Sequence, residues 1–238
     1  MWVRRIMSWL KFRRMNVYIS PHPDDAMLSC GGRILQNRDK KQLVINVFTA
    51  IYKGKTEWDE LCDLRNPHPM YLRIREDNKI LSSLEVQCRY LNFLDQAVYK
   101  NIKDKPRPKS IIEKIEFTLR KKLKKIPKAK LFFPFGLAHQ DHKVLREIGE
   151  RIARDYHVCF YEDIPYALTD SISDWRFYKL TEESLKEKIN LIFNYESQIP
   201  GLLTISESES EISLANKLKN HHREQGEPVE KIYKFSYT

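Results

Sequence analysis

The chain predicts an α/β fold, doubly wound around a largely parallel central sheet. Two observations carry that expectation. Strand-like apolar runs alternate with runs of helical period from Asn16 to Glu162 with few breaks. Two His/Asp clusters, Pro21-His22-Pro23-Asp24-Asp25 and His139-Gln140-Asp141-His142, each closely follow a strand-like run. That is the edge of such a sheet where ligands bind.

The elements follow in order. Asn16 to Ser20 reads as a buried strand, and Met27 to Asn37 as a helix opened by the turn Pro21 to Asp25. Leu43 to Thr49 is a second buried strand. Ile51 to Met70 is polar, aperiodic and contains Pro67 and Pro69, so it reads as a long functional loop, because structureless loops of that length are uncommon in compact domains. Tyr71 to Leu84 has helical period, Arg89 to Phe93 is a short strand, and Lys109 to Lys125 is a strongly basic helix. Leu131 to Pro134 is the next strand, Asp141 to Asp155 the next helix, and Val158 to Glu162 the strand after it. Beyond Asp163 the pattern changes to a strand at Arg176 to Leu180, helices at Glu182 to Asn194 and Glu209 to Asn220, and a terminal strand at Lys231 to Tyr237.

At 238 residues and 42% hydrophobic content, one domain over residues 15–238 is expected, preceded by a basic extension over residues 1–14. In that extension Trp2, Ile6, Met7, Trp9, Leu10 and Phe12 lie among basic residues. The pattern suits a short amphipathic helix on an anionic membrane, or equally an over-extended start with Met15 opening the folded domain. The net charge of +10 favours anionic partners. The basic run Arg120 to Lys130 reads as a solvated helix face, and no nucleic-acid module is recognisable. No apolar run approaches the roughly 20 residues that span a bilayer. Cys30, Cys62, Cys88 and Cys159 form no Cys-x-x-Cys pair and read as free thiols in a reducing cytoplasm.

The two clusters ask for one metal site. A catalytic zinc takes three ligands from His, Asp or Glu and leaves a position for water. His22 and Asp25, on one tight turn, would reach one ion together, and His142 would close the set. Asp24 is then free to act as general base toward the metal-bound water. His139 would face the substrate, stabilising an oxyanion or protonating a leaving group, with Asp141 fixing its tautomer. Alone, either cluster is equally a helix start with Asp24, Asp25 or Asp141 near the cap. Gly31-Gly32 lacks phosphate-loop spacing and would serve close packing. His68, His157, His221 and His222 have no evident partner and read as structural.

The segment Ser20-Pro21-His22-Pro23-Asp24-Asp25-Ala26-Met27-Leu28-Ser29-Cys30-Gly31-Gly32, with His139-x-Asp141-His142, resembles the LmbE-like or PIG-L family of metal-dependent N-deacetylases. Further matches are Arg73-x-x-Glu76-Asp77, Leu84-Glu85-Val86, Phe93-Leu94-Asp95, Tyr161-Glu162-Asp163-Ile164-Pro165-Tyr166, Lys188, and Tyr195-x-Ser197-Gln198. The resemblance implies a Rossmann-like three-layer sandwich with zinc held by His22, Asp25 and His142; ferrous iron also suits this set. It implies Asp24 as base and His139 with Asp141 as the transition-state pair. Ser29, Arg73 and Asp95 match sugar-pocket positions, although Arg73 could instead pair within its helix with Glu76 or Asp77. The implied substrate is an N-acetylated amino sugar within an N-acetylglucosamine-type conjugate. The family pattern has Glu where this chain has Ala26, which bears on the pocket more than on the metal. Two other readings are a phosphoesterase, which would want a second metal where the carboxylates and histidines supply ligands for only one, and a non-catalytic sugar-binding relative.

Overall fold

The computed structural model describes residues 15–103, 106–126, 128–168 and 176–234. The extension over residues 1–14 lies outside them.

Strand β1 (Asn16–Ser20) is buried along its whole length. It pairs in parallel with β2 (Gln42–Asn46) on one side and with β4 (Lys130–Pro134) on the other. β3 (Gln87–Tyr90) extends the parallel sheet beyond β2, and β5 (His157–Tyr161) extends it beyond β4. The far edge is antiparallel: β8 (Glu227–Lys234) pairs with β5, and β6 (Arg176–Lys179) pairs with β8. A two-residue β7 (Arg223–Glu224) hairpins onto β8. The order is β3-β2-β1-β4-β5-β8-β6, so the sheet is parallel at its centre, as the alternating pattern predicts.

Alternation along β1 divides the core into two faces. Val17 and Ile19 join Ile115, Leu119 and Leu123 of α5 (Lys109–Leu123) and Leu145, Ile148 and Ile152 of α6 (Gln140–Ile152). Tyr18 points the other way, into Met27, Cys30 and Ile34 of α1 (Asp25–Gln36) and Ile80 and Leu81 of α3 (Pro69–Ser83). Each fully buried side chain of this size contributes about 1.5–3 kcal/mol, so the faces fix the three layers and, with them, which strand ends open to solvent. Helix α7 (Glu182–Ile192) packs on α1. The approach is close: a Cβ on Gly31 would lie 3.1 Å from Lys188 Cγ, and one on Gly32 only 2.5 Å from Leu180 Cδ1. The glycine pair therefore lets α1 meet α7 and the segment before it, rather than only the sheet.

Four short elements differ from expectation. The stretch from Ile51 to Met70 is not wholly a loop, because α2 (Glu57–Leu61) forms inside it, opened by a reciprocal cap between Thr56 and Asp59. α4 (Gln96–Lys103) and α8 (Ile199–Ile205) are eight and seven residues long, shorter than the window over which a helical period is read. β8 starts at Glu227, earlier than the apolar run at its end, because the buried Glu230 is polar and disguises the strand. The remaining helix, α9 (Glu211–His221), opens on a Ser210/Ser213 capping box.

Candidate active site

The site forms at the carboxyl ends of β1 and β4. After β1 the chain turns sharply through Pro21 to Asp24 and enters α1. The Ser20 hydroxyl braces this turn, donating to His22 O at 2.7 Å and accepting from Ala26 N at 3.1 Å. Asp24 adopts φ 107°, a left-handed conformation that costs a non-glycine residue of order 1–3 kcal/mol. Its side chain makes no cap hydrogen bond with α1. The helix-cap alternative therefore fails for Asp24, whose carboxylate meets Arg73 instead.

Asp25 faces inward. Its Oδ2 lies 3.2 Å from His22 Nδ1 and 3.4 Å from His142 Nε2, and it accepts the His22 backbone N–H at 2.8 Å. The ligand atoms of His22, Asp25 and His142 lie within 4.8 Å of one another, and all three residues are buried. The outer ring nitrogens are backed by carboxylates. His142 Nδ1 lies 3.3 Å from Asp163 Oδ1, while Asp163 Oδ2 accepts the backbone N–H groups of Gly136 and Leu137 at 2.6 and 2.7 Å. His22 Nε2 lies 2.8 Å from Asp95 Oδ2 and 3.1 Å from Asp141 Oδ2. Proton donation from the outer nitrogens to these carboxylates would leave each imidazole a lone pair on its inner nitrogen, the arrangement that metal-binding histidines adopt.

The residues fit a divalent ion. Both ring nitrogens of the buried His142 lack a hydrogen bond of good geometry, although carboxylates stand nearby. The carboxylates beside His142 favour its protonated form. Burial pulls His142 down, but the charges of Asp25 and Asp163 outweigh it and raise its pKa to about 10. Burial pushes Asp25 up, but His142 and His22 hold it well below the carboxylate range. A metal ion satisfies the same carboxylates and imidazoles without those protons.

A second group overlaps the first: His22, Asp95, His139 and Asp141 also bring ligand atoms within 4.8 Å. Asp95 thus brings a further carboxylate to the same imidazole. The overlap has an order, however. His22 Nε2 serves this second group and Nδ1 the first, so a single protonated Nε2 makes the second group the outer support of the first.

Asp24 turns to Arg73 of α3, whose Nη2 lies 3.2 and 3.3 Å from its two carboxylate oxygens. Burial pushes the Asp24 pKa up and outweighs the Arg73 charge, leaving it at about 7. The intrahelical alternative for Arg73 is not realised: Glu76 accepts from Ser197, and Asp77 accepts from Asn46, Tyr90 and Tyr195. Asp77 thus pins α3 to the sheet one turn beyond Arg73. His139 caps α6 and accepts the Asp141 backbone N–H on Nδ1 at 3.2 Å. Its tautomer is therefore fixed by the main chain of Asp141 and not by the carboxylate, which is held elsewhere.

What holds it is Arg107, which the sequence pattern did not single out. Its side chain is only 2% exposed, lies over the Phe48 ring, donates to Leu94 O, and places Nη2 2.6 Å from Asp141 Oδ1. Asp163 and Tyr166 were visible only as parts of a matching segment. Ser29 departs from its expected place: its Oγ accepts the Ile164 N–H at 3.2 Å, and it does not line the site cavity. Ala26 packs in the apolar cluster with Ile80 and Leu81. The cavity itself is lined by His22, Asp24, Asp25, Arg73, Asp95 and His139, with Tyr52, Trp58, Met70 and Tyr166 at its walls.

A family model described as PIG-L, GlcNAc-PI de-N-acetylase, matches residues 17–153, more than half of the chain. A 2'-N-acetylparomamine deacetylase of Niallia circulans is 25% identical over 240 residues, covering 84% of this chain and 86% of that protein. Among solved structures, the zinc-inhibited form of teicoplanin deacetylase Orf2 superposes with a TM-score of 0.79 at 21% identity, over 92% of this chain and 97% of that one. N,N'-diacetylchitobiose deacetylase from Pyrococcus horikoshii follows the same fold with a TM-score of 0.63 at 16% identity, over 98% of this chain and 89% of that one.

Proposed function

The chain belongs to the PIG-L family, and from that premise we propose that it is a zinc-dependent amide hydrolase that removes the acetyl group from an N-acetylated amino sugar in a conjugate. The observation that carries this reading is the division of labour between two adjacent carboxylates. Asp25 turns into the His22/His142 pair, and Asp24 turns to Arg73 and the open cavity.

His22, Asp25 and His142 would hold the ion, and ferrous iron would suit the same set. When bound there, zinc supplies Lewis acidity toward an amide carbonyl and lowers the pKa of water toward neutrality. Asp24 accepts the proton of the attacking water and later returns it to the departing amine. Arg73 orients Asp24 for both transfers. His139 has Nδ1 occupied by the Asp141 N–H, so its proton sits on Nε2. From there it donates to the oxygen that gains charge as the acetyl carbon becomes tetrahedral. Asp141, tied to Arg107, steadies His22 from behind.

The walls suit a sugar. Tyr52, Trp58 and Tyr166 offer flat apolar faces, while Asp95 retains acceptor capacity for hydroxyls. The α2 segment contributes Thr56, Trp58 and Asp59 to this wall, which makes it the element that would choose the acceptor. A single zinc triad with an adjacent base favours amide hydrolysis over a two-metal phosphoesterase. The buried free thiols suit a reducing cytoplasm.

The test is acetate release by the zinc-loaded protein from a panel of N-acetylglucosamine conjugates, with Asp24→Asn as control. Release that the variant abolishes supports the reading. Stoichiometric zinc with no release from any conjugate contradicts it.

A further inference from the structure

A second concavity lies at the opposite end of the sheet from the candidate active site. Lys130 and His157 open β4 and β5 as register partners, so the concavity sits at the amino ends of these strands. Arg176 of β6 and Lys234 of β8 complete its rim, and Arg33, near the end of α1, forms its inner wall. Among the described residues, no carboxylate lines it.

Arg33 is the informative residue. Its side chain belongs to a residue only 9% exposed, its guanidinium carbon lies 4.6 Å from the Phe132 ring centroid and 4.1 Å from that of Tyr178, and its Nε has no hydrogen-bond partner. Glu230, a buried acid beside this part of α1, accepts the Gly32 and Arg33 backbone N–H groups and pairs with Lys188. Two ring faces offset part of the cost of burying a cation but return no charge-bearing hydrogen bond. A guanidinium has five donors in a planar fork, and such a fork at the wall of a polar cavity is matched by an oxyanion.

The surrounding charges point to the same place. Burial pushes the Cys159 thiol up, and Lys130, Arg33, Lys234 and Arg176 all pull against it. Four cations, from α1, β4, β6 and β8, line the one cavity around Cys159. The cavity measures about 230 Å³, less than the roughly 300–1,000 Å³ of sites for drug-sized ligands. A compact, doubly charged anion fits both its size and its field.

We propose that this concavity, walled by Arg33 and rimmed by Lys130, Arg176 and Lys234, binds the phosphate dianion from solution. The site is separate from the deacetylase machinery, and its occupation leaves the chemistry at His22, Asp24 and Asp25 intact.

Calorimetric titration of the zinc-loaded full-length protein with inorganic phosphate tests it, beside the variant Arg33→Gln and the double variant Arg176→Gln/Lys234→Gln. The second pair is exposed and separates loss of the site from loss of the fold. The expected result is one bound phosphate that each variant weakens at least tenfold, with acetate release from the best conjugate unchanged. No phosphate binding to the wild type overturns the proposal. So does binding of equal strength in the wild type and the double variant, which places the anion elsewhere, as at the zinc. Association with vesicles of phosphatidylcholine and phosphatidic acid, without binding of free phosphate, also overturns it in favour of a membrane surface.

Discussion

Helix α1 carries a buried polar cluster at each end of its first three turns, and the two are built to opposite rules. At its start, His22, Asp24 and Asp25 crowd together with His142, and the ring nitrogens of His142 go without good hydrogen bonds. Two turns on, Lys188 reaches Glu230 Oε1 at 2.8 Å, His222 Nε2 at 2.9 Å and Ser29 O at 3.4 Å, spending all three of its donors. Glu230 in turn takes the backbone N–H groups of Gly32 and Arg33 at 2.7 and 3.0 Å. Both clusters are buried and charged. The second leaves His222 Nδ1 without a partner but spends its charged groups on each other and ties α1 to α7 and β8, whereas the first keeps both ring nitrogens of His142 for a ligand. What separates a structural cluster from a chemical one is therefore how far its donors and acceptors are already spent.

Breaking each cluster should give a different kind of loss. Asp24→Asn should lower kcat by about 10²–10⁴-fold, the usual worth of a positioned general base, in an acetate-release assay. Its fold and zinc content should match the wild type.

Lys188→Met should act the other way. Removing one partner leaves Glu230 buried without its counter-charge, at a cost of about 3–5 kcal/mol. Urea unfolding would register the drop, while zinc bound per folded chain stays unchanged. A variant that lost zinc but kept its stability would erase the distinction between the clusters.

Asp77 lies between the two extremes: it is buried and accepts from Asn46, Tyr90 and Tyr195, yet burial still raises its pKa from 3.8 to about 6. The folded protein then holds this proton more tightly than the unfolded chain. Its contribution to stability is full below about pH 4 and is lost as pH rises through about 6, a change of at most ~3 kcal/mol. Asp77→Asn should remove that fall, seen as a flatter stability profile in the variant, so that its difference from the wild type changes by up to ~3 kcal/mol between about pH 4 and 6. An unchanged pH profile would show that the three donors already keep Asp77 ionised.

The smallest effect is expected at Arg107, which touches neither ion nor substrate. As a positioning residue behind Asp141 and His22, its replacement in Arg107→Gln should cost about 10–100-fold in zinc affinity. Arg107→Lys should recover part of that loss, because a charge restored near Asp141 Oδ1 is what the role requires. Equal losses in both variants would point to packing against Phe48 instead.

The sequence reached the parallel half of the sheet and the His/Asp clusters because both rest on local signals. β1, β2 and β4 are short apolar runs, and His22, Asp24 and Asp25 share one turn. It also placed Arg73 near the site, but only the fold chose Asp24 over Glu76 as its partner. Arg107 and Asp163 escaped for a physical reason: each acts through a contact far away in sequence, Arg107 on Asp141 and Asp163 on His142, and no periodicity reports such a pairing. Ser29 shows the converse, since a residue inside a matching motif is drawn off by the backbone N–H of Ile164. β8 began earlier than its apolar end because Glu230 looks like surface until Lys188 is seen beside it.

The most direct test of the central claim is the zinc content of purified protein by elemental analysis, compared across the wild type, Asp24→Asn and His142→Ala. One zinc per chain in the first two and almost none in the third is the expected result, as the proposal that makes His142 a ligand and Asp24 the base requires. Stoichiometric zinc in His142→Ala, or its loss from Asp24→Asn, would contradict the assignment of the ion to His22, Asp25 and His142.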